Sequence, residues 1–203
     1  MADTLKNDLY EGNRNIIKMA SILELPLRAK LSSQIMYQYV YPKLFQRENY
    51  NDISFITIYV ASKTEEIHVK METLVKAATG IKNTKPEDYT ESFVKCESMI
   101  IDILRFNFEI RHVHFIFIKL CRSIGIEPDK MISRLEILDE IHGDDRVNKI
   151  NYFGDGKYEP EDVGVSLLTL EELGSFERKY FIEVNRDLRN QIRNDLFENI
   201  TLE

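Results

Sequence analysis

Four histidines, two cysteines and two Glu-Glu pairs are the side chains of this sequence best suited to holding a metal or moving a proton. His112 and His114 stand at a spacing found in some metal sites. No cysteine or carboxylate cluster joins them at ligand spacing, so both are expected as partly buried, hydrogen-bonded imidazoles. Glu65-Glu66 and Glu171-Glu172 supply paired carboxylates. Neighbours on a helix point about 100° apart and do not face one another across a substrate, which makes both pairs solvated helix ends. Gly154-Asp155-Gly156-Lys157 lacks the length and the Ser or Thr of a phosphate-binding loop and reads as a turn. No serine, cysteine or lysine stands out as an activated nucleophile with its base. The expectation is a protein that is not an enzyme, with no catalytic residue, cofactor, metal or small-molecule substrate.

Composition narrows the partners. The 203 residues carry 27 basic and 34 acidic side chains, a net charge of -7, and 43% of them are hydrophobic. That is enough apolar surface for a proper core. The acidic balance gives no electrostatic reason to bind nucleic acid or an anionic membrane. Cys96 and Cys121 sit among helix-like apolar residues and no export signal opens the chain, so both are expected as reduced thiols inside a cell. The most apolar short run, Val113 to Leu120, contains His114 and Lys119 and falls well below the roughly 20 residues that span a bilayer.

The elements that position these residues read as helices. Ile16, Ile17, Met19, Ala20 and Leu23 recur at three- and four-residue spacing and predict a first helix over 13–23. Pro26 punctuates, and a second helix is expected to end before Pro42. Ile53 to Ala61 is apolar on every side and rich in β-branched residues, which suits a central, fully surrounded helix led in by Asn51 and Asp52. A helix over 69–78 is expected to stop at Gly80, and Phe93, Glu97, Ile100, Ile101 and Leu104 share one stripe of another over 90–104. Helices follow over 114–124 and 130–141, then one from Pro160 running up to Gly174, and a last one over 176–197. No stretch alternates long enough to argue for a sheet, so the class is all-α. Tyr50-Asn51-Asp52 leading into Ile53 to Ala61 is echoed by Tyr158-Glu159-Pro160 leading into Val163 to Leu170, as if one helical unit occurred twice.

Ala61-Ser62-Lys63-Thr64-Glu65-Glu66-Ile67 closes the apolar helix, and Cys96-Glu97 follows about thirty residues later, running on to Leu104-Arg105-Phe106-Asn107-Phe108. This arrangement resembles the cyclin box, in which a central helix ends in Ala-Ser/Ala-Lys-x-Glu-Glu and a later helix carries a glutamate ahead of a Leu-x-Phe ending. The resemblance implies two five-helix repeats, the second degenerate because Glu171-Glu172-Leu173 stands where a repeat would place Ser-Lys. It divides the chain into an N-terminal segment 1–12, a first box 13–112 and a second, divergent repeat 113–203.

The resemblance also implies a partner, a cyclin-dependent protein kinase that the chain binds and activates. Lys63 and Glu97 would hydrogen-bond to backbone around the kinase's regulatory helix, over an apolar floor of Thr64, Ile100, Ile101 and Phe106. Thr64 departs from the larger Phe or Val found there in relatives. Glu109-Ile110-Arg111-His112-Val113-His114 resembles the His-Pro-His passage of transcription-associated cyclins of the C/H/K/L/T type, with Val113 for the proline, which points to transcription and the nucleus. Leu27-Arg28-Ala29-Lys30-Leu31 looks like the substrate-docking motif of cell-cycle cyclins but stands on the wrong helix and is a chance match. Two alternatives share the fold, an adaptor using the groove for a non-kinase helix and a general transcription factor. The second lacks the paired cysteines and basic charge its class carries.

Overall fold

A computed structural model describes residues 2–83, 85, 87–180 and 182–198. The described residues form ten α-helices, a short 3₁₀ turn at Asp145–Lys149 and one isolated bridge between Ile150 and Tyr158, with no strand among them. The chain divides into two compact units. One comprises 1–110 with 143–145, and the other 111–142 with 146–203.

Unit 1 holds α1 (Ala2–Ile22), α2 (Leu27–Leu44), α3 (Tyr50–Thr64), α4 (Met71–Lys82) and α5 (Glu87–Leu104). The apolar all-round helix is α3. Ile53, Phe55, Ile56, Ile58, Val60 and Ala61 are all enclosed, and α1, α2, α4 and α5 pack around it. Its N-cap is Asn49, whose side chain accepts from the Asn51 amide at 2.8 Å, one turn-step earlier than Asn51 and Asp52 suggested.

Three boundaries differ from the sequence expectation. Helix α1 begins near residue 2 rather than 13, because Leu9 and Asn13 extend the buried stripe of Ile16 and Met19 backwards and Tyr37 and Tyr41 hold Asp8, donating to its carbonyl at 2.8 Å and its carboxylate at 2.7 Å. Helix α2 runs through Pro42. The proline forfeits one bond to the Gln38 carbonyl, and burial of Val40, Tyr41 and Leu44 outweighs that loss in the last turn. Helix α4 passes Gly80 and ends at Asn83, which takes the left-handed conformation at φ 53°.

Gly12 lies inside α1, where alanine would normally be favoured by about 1 kcal/mol. Here a Cβ would stand 2.0 Å from the Tyr37 hydroxyl oxygen and 2.2 Å from the ring carbon bearing it. Tyr37 is fully buried and stacks on Tyr41, so it has nowhere to retreat. Gly12→Ala is therefore expected to destabilise unit 1 by about 1–3 kcal/mol net, as overpacking does. A urea unfolding midpoint that rises instead would contradict this packing.

Unit 2 holds α6 (Val113–Ile124), α7 (Pro128–His142), α8 (Pro160–Ser166), α9 (Leu170–Tyr180) and α10 (Arg186–Leu196), with α6 packed on α7, α8 and α9, and α8 on α10. The stretch from Pro160 to Gly174 is two helices, not one. Thr169 and Glu172 form a reciprocal cap, the Thr169 amide donating to the Glu172 carboxylate at 2.8 Å and the Glu172 amide to the Thr169 hydroxyl at 3.3 Å, and this starts α9 afresh. The predicted last helix is likewise interrupted after Tyr180, and Asn185 caps α10 by accepting from the Leu188 amide at 3.0 Å. The third helices of the two units, α3 and α8, are the pair joined by the sequence echo. The second is far shorter, 7 residues against 15.

Three of the four imidazoles are core groups of unit 2, and His68 is exposed in unit 1. His112, His114 and His142 are all buried, and the His114 ring meets that of His142 edge-on at 4.7 Å. His114 Nε2 stands 3.3 Å from the Asp139 carboxylate without hydrogen-bond geometry, so the expectation of a hydrogen-bonded ring is not met there. His142 is fully satisfied as the neutral form, Nδ1 donating to the Leu138 carbonyl at 2.7 Å and Nε2 accepting from the Tyr152 hydroxyl at 2.9 Å. Burial, then the neighbouring His114, push its pKa down to about 3. Since the folded value lies below the unfolded one, His142 stabilises unit 2 above pH about 6.5 and this is lost as pH falls towards 3, at up to about 1.4 kcal/mol per pH unit. Stability between pH 6.5 and 5 should fall in the wild type, and His142→Gln should flatten that slope; an unchanged slope would place the titration elsewhere.

Candidate functional site

Two of the residues singled out by the resemblance, Lys63 of α3 and Glu97 of α5, are brought together. Lys63, in the last turn of α3, donates from Nζ to Glu97 Oε1 of α5 at 2.6 Å, and the same ammonium lies 4.1 Å from the centre of the Tyr59 ring. Partial burial pulls the Lys63 pKa down. The bond to Glu97 and the Tyr59 contacts outweigh it and hold the ammonium above the ordinary lysine value. The Lys63 side chain is 53% exposed and that of Glu97 21%, so the pair sits at the surface with the carboxylate the more enclosed partner.

Both helices stop in the same way. At the end of α3 the Ile67 amide reaches back to the Ser62 carbonyl at 2.8 Å and the Glu66 amide to Lys63 at 3.2 Å, with Glu66 left-handed at φ 58°. At the end of α5 the Phe106 amide reaches Ile101 at 3.3 Å and the Arg105 amide reaches Asp102 at 3.1 Å, with Arg105 at φ 52°. These are Schellman closures that ordinarily place glycine at the left-handed position. Phe106 is left-handed too, at φ 58°, which costs a non-glycine residue about 1–2 kcal/mol. Its ring is 72% exposed and touches Phe108 edge-on at 6.4 Å, instead of packing back on its helix.

Thr64 is half-buried and bonds its hydroxyl to the Ala61 carbonyl at 2.9 Å. Ile101 is half-exposed beside Glu97, one turn away on α5. Ile100 points the other way and is fully enclosed in the core, so it offers no accessible surface in the free chain. Glu65 belongs to the frame and is not a solvated helix end. Its carboxylate accepts from the Ser32 hydroxyl at 2.6 Å and from Arg28 Nε at 2.7 Å, which ties the end of α3 to α2. Sequence reasoning missed this lock, and the signal for it is the Arg28 and Ser32 pair, four apart on one face of α2.

In unit 2 the corresponding Glu-Glu pair also splits its roles. Glu171 is exposed, while Glu172 receives a two-pronged bond from Arg134 at 2.6 and 3.1 Å. Both cysteines are free and buried, and burial raises their thiols to about 11. Among the described residues there is no group of three or more His, Cys, Asp or Glu side chains placed to hold a metal ion, and no helix long and apolar enough to cross a membrane.

This all-helical architecture is shared with a solved structure. A chain of the CAK complex from Chaetomium thermophilum bound to ATP-gamma-S superposes with a TM-score of 0.69 over 98% of this chain, at 13% identity. The present chain spans 64% of the length of that neighbour. The fold is all-α and cyclin-like. No protein-family model and no curated protein matches the sequence.

Proposed function

We propose that this chain is a cyclin, a non-catalytic regulatory subunit that binds and activates a cyclin-dependent protein kinase, with a role in transcription and in the nucleus. Residues 13–112 form its first box and 113–203 its divergent second. The observation that carries the reading is the Lys63–Glu97 pair, closed at 2.6 Å between α3 and α5, with Phe106 exposed just past the end of α5. A partner helix lies along Thr64, Ile101 and Phe106, with Ile100 shaping the floor from beneath.

Magnitudes favour an exchange of partners. An ion pair this exposed contributes about 0–1 kcal/mol to the fold, so Lys63 and Glu97 give it up cheaply. Charge-assisted bonds to the backbone of a docked helix are stronger and fix its register. A soluble kinase, rather than nucleic acid or membrane, suits the net charge of -7.

The test is capture from the chain's own cell extract, with mass spectrometry of what comes along. The double change Lys63→Glu with Glu97→Lys preserves an internal ion pair while reversing the polarity shown to a partner, so melting should stay as in the wild type. A cyclin-dependent kinase held by the wild type and lost from the double variant is expected. No kinase in either sample, or equal capture by both, would overturn the reading.

A further inference from the structure

A cavity of about 350 Å³ lies wholly within unit 2, between α8, the segment after α9, and α10. Val165, Phe176, Leu188 and Ile192 give it a largely apolar lining, shared with Asp162, Glu183 and Asn185. One cation, Arg189, completes the lining. Only 4% of that residue is exposed. Of the five N–H donors of a guanidinium, one ends on the Leu168 carbonyl, and Nε is enclosed with no acceptor at all. Among the described residues no carboxylate pairs with it, in contrast to Arg186, which reaches Glu177 at 2.5 Å, and Arg134, which reaches Glu172.

A buried cation without a counter-ion is costly, and enclosed arginines are as a rule paired. Burial, then repulsion from Arg193 and Arg186, hold the Arg189 guanidinium below its ordinary value, which an arriving anion would reverse. The size is at the low end of ligand cavities, which run from about 300 to 1,000 Å³ and combine apolar walls with a few placed polar groups. The two carboxylates in the lining, Asp162 and Glu183, oppose a doubly charged phosphate more strongly than a single carboxylate, which matches the guanidinium fork.

We propose that this cavity is a binding site for a monocarboxylate with an apolar body, its carboxylate held by Arg189 and its hydrocarbon by the walls of α8 and α10. The ligand is either a free organic acid or the carboxyl end of a partner chain, which share this chemistry.

The test uses the full chain with methyl-labelled Ile, Leu and Val, titrated with 4-phenylbutyrate and separately with 4-phenylbutyramide. Saturable shifts centred on Val165, Leu188 and Ile192 are expected with the acid, and at least about tenfold weaker binding of the amide, since a bond to a charged group is worth about 1.5–3 kcal/mol. Equal binding of acid and amide, or no saturable shift at these methyls, would overturn the proposal. Because both probes are read on the wild type, the outcome does not depend on a variant that folds; Arg189→Gln, where it folds, should bind acid and amide alike. Displacement of 4-phenylbutyrate by acetyl-Gly-Gly-Phe assigns the carboxylate to a chain end, and binding of the free acid without such displacement assigns it to a small acid.

Discussion

Glu172→Ala is expected to lower the stability of unit 2 by about 3–5 kcal/mol, the cost of breaking a buried ion pair by removing one member. Arg134 is only 3% exposed and both of its bonds to Glu172 vanish in this variant. The same carboxylate accepts from the Thr169 amide, so the change also removes one half of the reciprocal cap of α9. Burial opposes ionisation of Glu172, and the Arg134 and Thr169 bonds outweigh it, holding the carboxyl below the ordinary range. Its contribution is thus present above the unfolded glutamate value and fades as pH drops through the lower, folded one. Replacing both partners by apolar residues, Arg134→Met with Glu172→Leu, should recover much of the loss, because the desolvated charges go together. Hydrogen exchange of the α6 and α8 amides reads the effect in unit 2 alone. Protection unchanged in Glu172→Ala would show that the pair is not a structural tie.

On the proposed kinase interface, Phe106→Ala is expected to weaken binding by about 2 kcal/mol or more, roughly thirtyfold, with no loss of melting temperature. The two readouts separate because the ring is 72% exposed in the free chain and contributes little to the fold. Alanine keeps the left-handed backbone strain, so the comparison isolates the side chain. Binding measured against the partner kinase by calorimetry gives the first number, and a thermal melt the second. Full affinity in Phe106→Ala would remove the ring from the interface, and a large drop in melting would make it a core residue.

The periodic parts of the fold were legible in the sequence. The stripe through Phe93, Ile100 and Leu104 lies inward on α5, and the unpatterned apolar run Ile53 to Ala61 is the enclosed helix α3, since only a surrounded helix tolerates apolar residues on every side. Boundaries failed where a tertiary partner overrides a local signal. Gly12, outside the helix expected over 13–23, lies inside α1 and makes room for Tyr37, and Pro42 reads as a stop but sits in a turn anchored by Leu44. The break before α9 was written in Thr169-Leu170-Glu171-Glu172, a capping-box pattern hidden by the continuous leucines around it.

At the site, motif spacing named Lys63 and Glu97, and they meet at 2.6 Å. Spacing did not separate Ile100, which faces the core, from Ile101, which faces outward, because adjacent positions differ by only one step around the helix. The left-handed closures at Glu66, Arg105 and Phe106 were invisible, as none carries the glycine that ordinarily marks such an end. Arg189 was equally silent: a basic residue on an amphipathic helix reads as solvated, and only the packed structure shows it enclosed.

The central claim is activation of a kinase, and the most direct measurement is phosphotransfer by the captured kinase, purified and assayed alone, with the wild-type chain, and with the Lys63→Glu, Glu97→Lys double variant. Low activity alone, high activity with the wild type and low activity again with the double variant is the predicted result. A kinase equally active with and without the chain would contradict it.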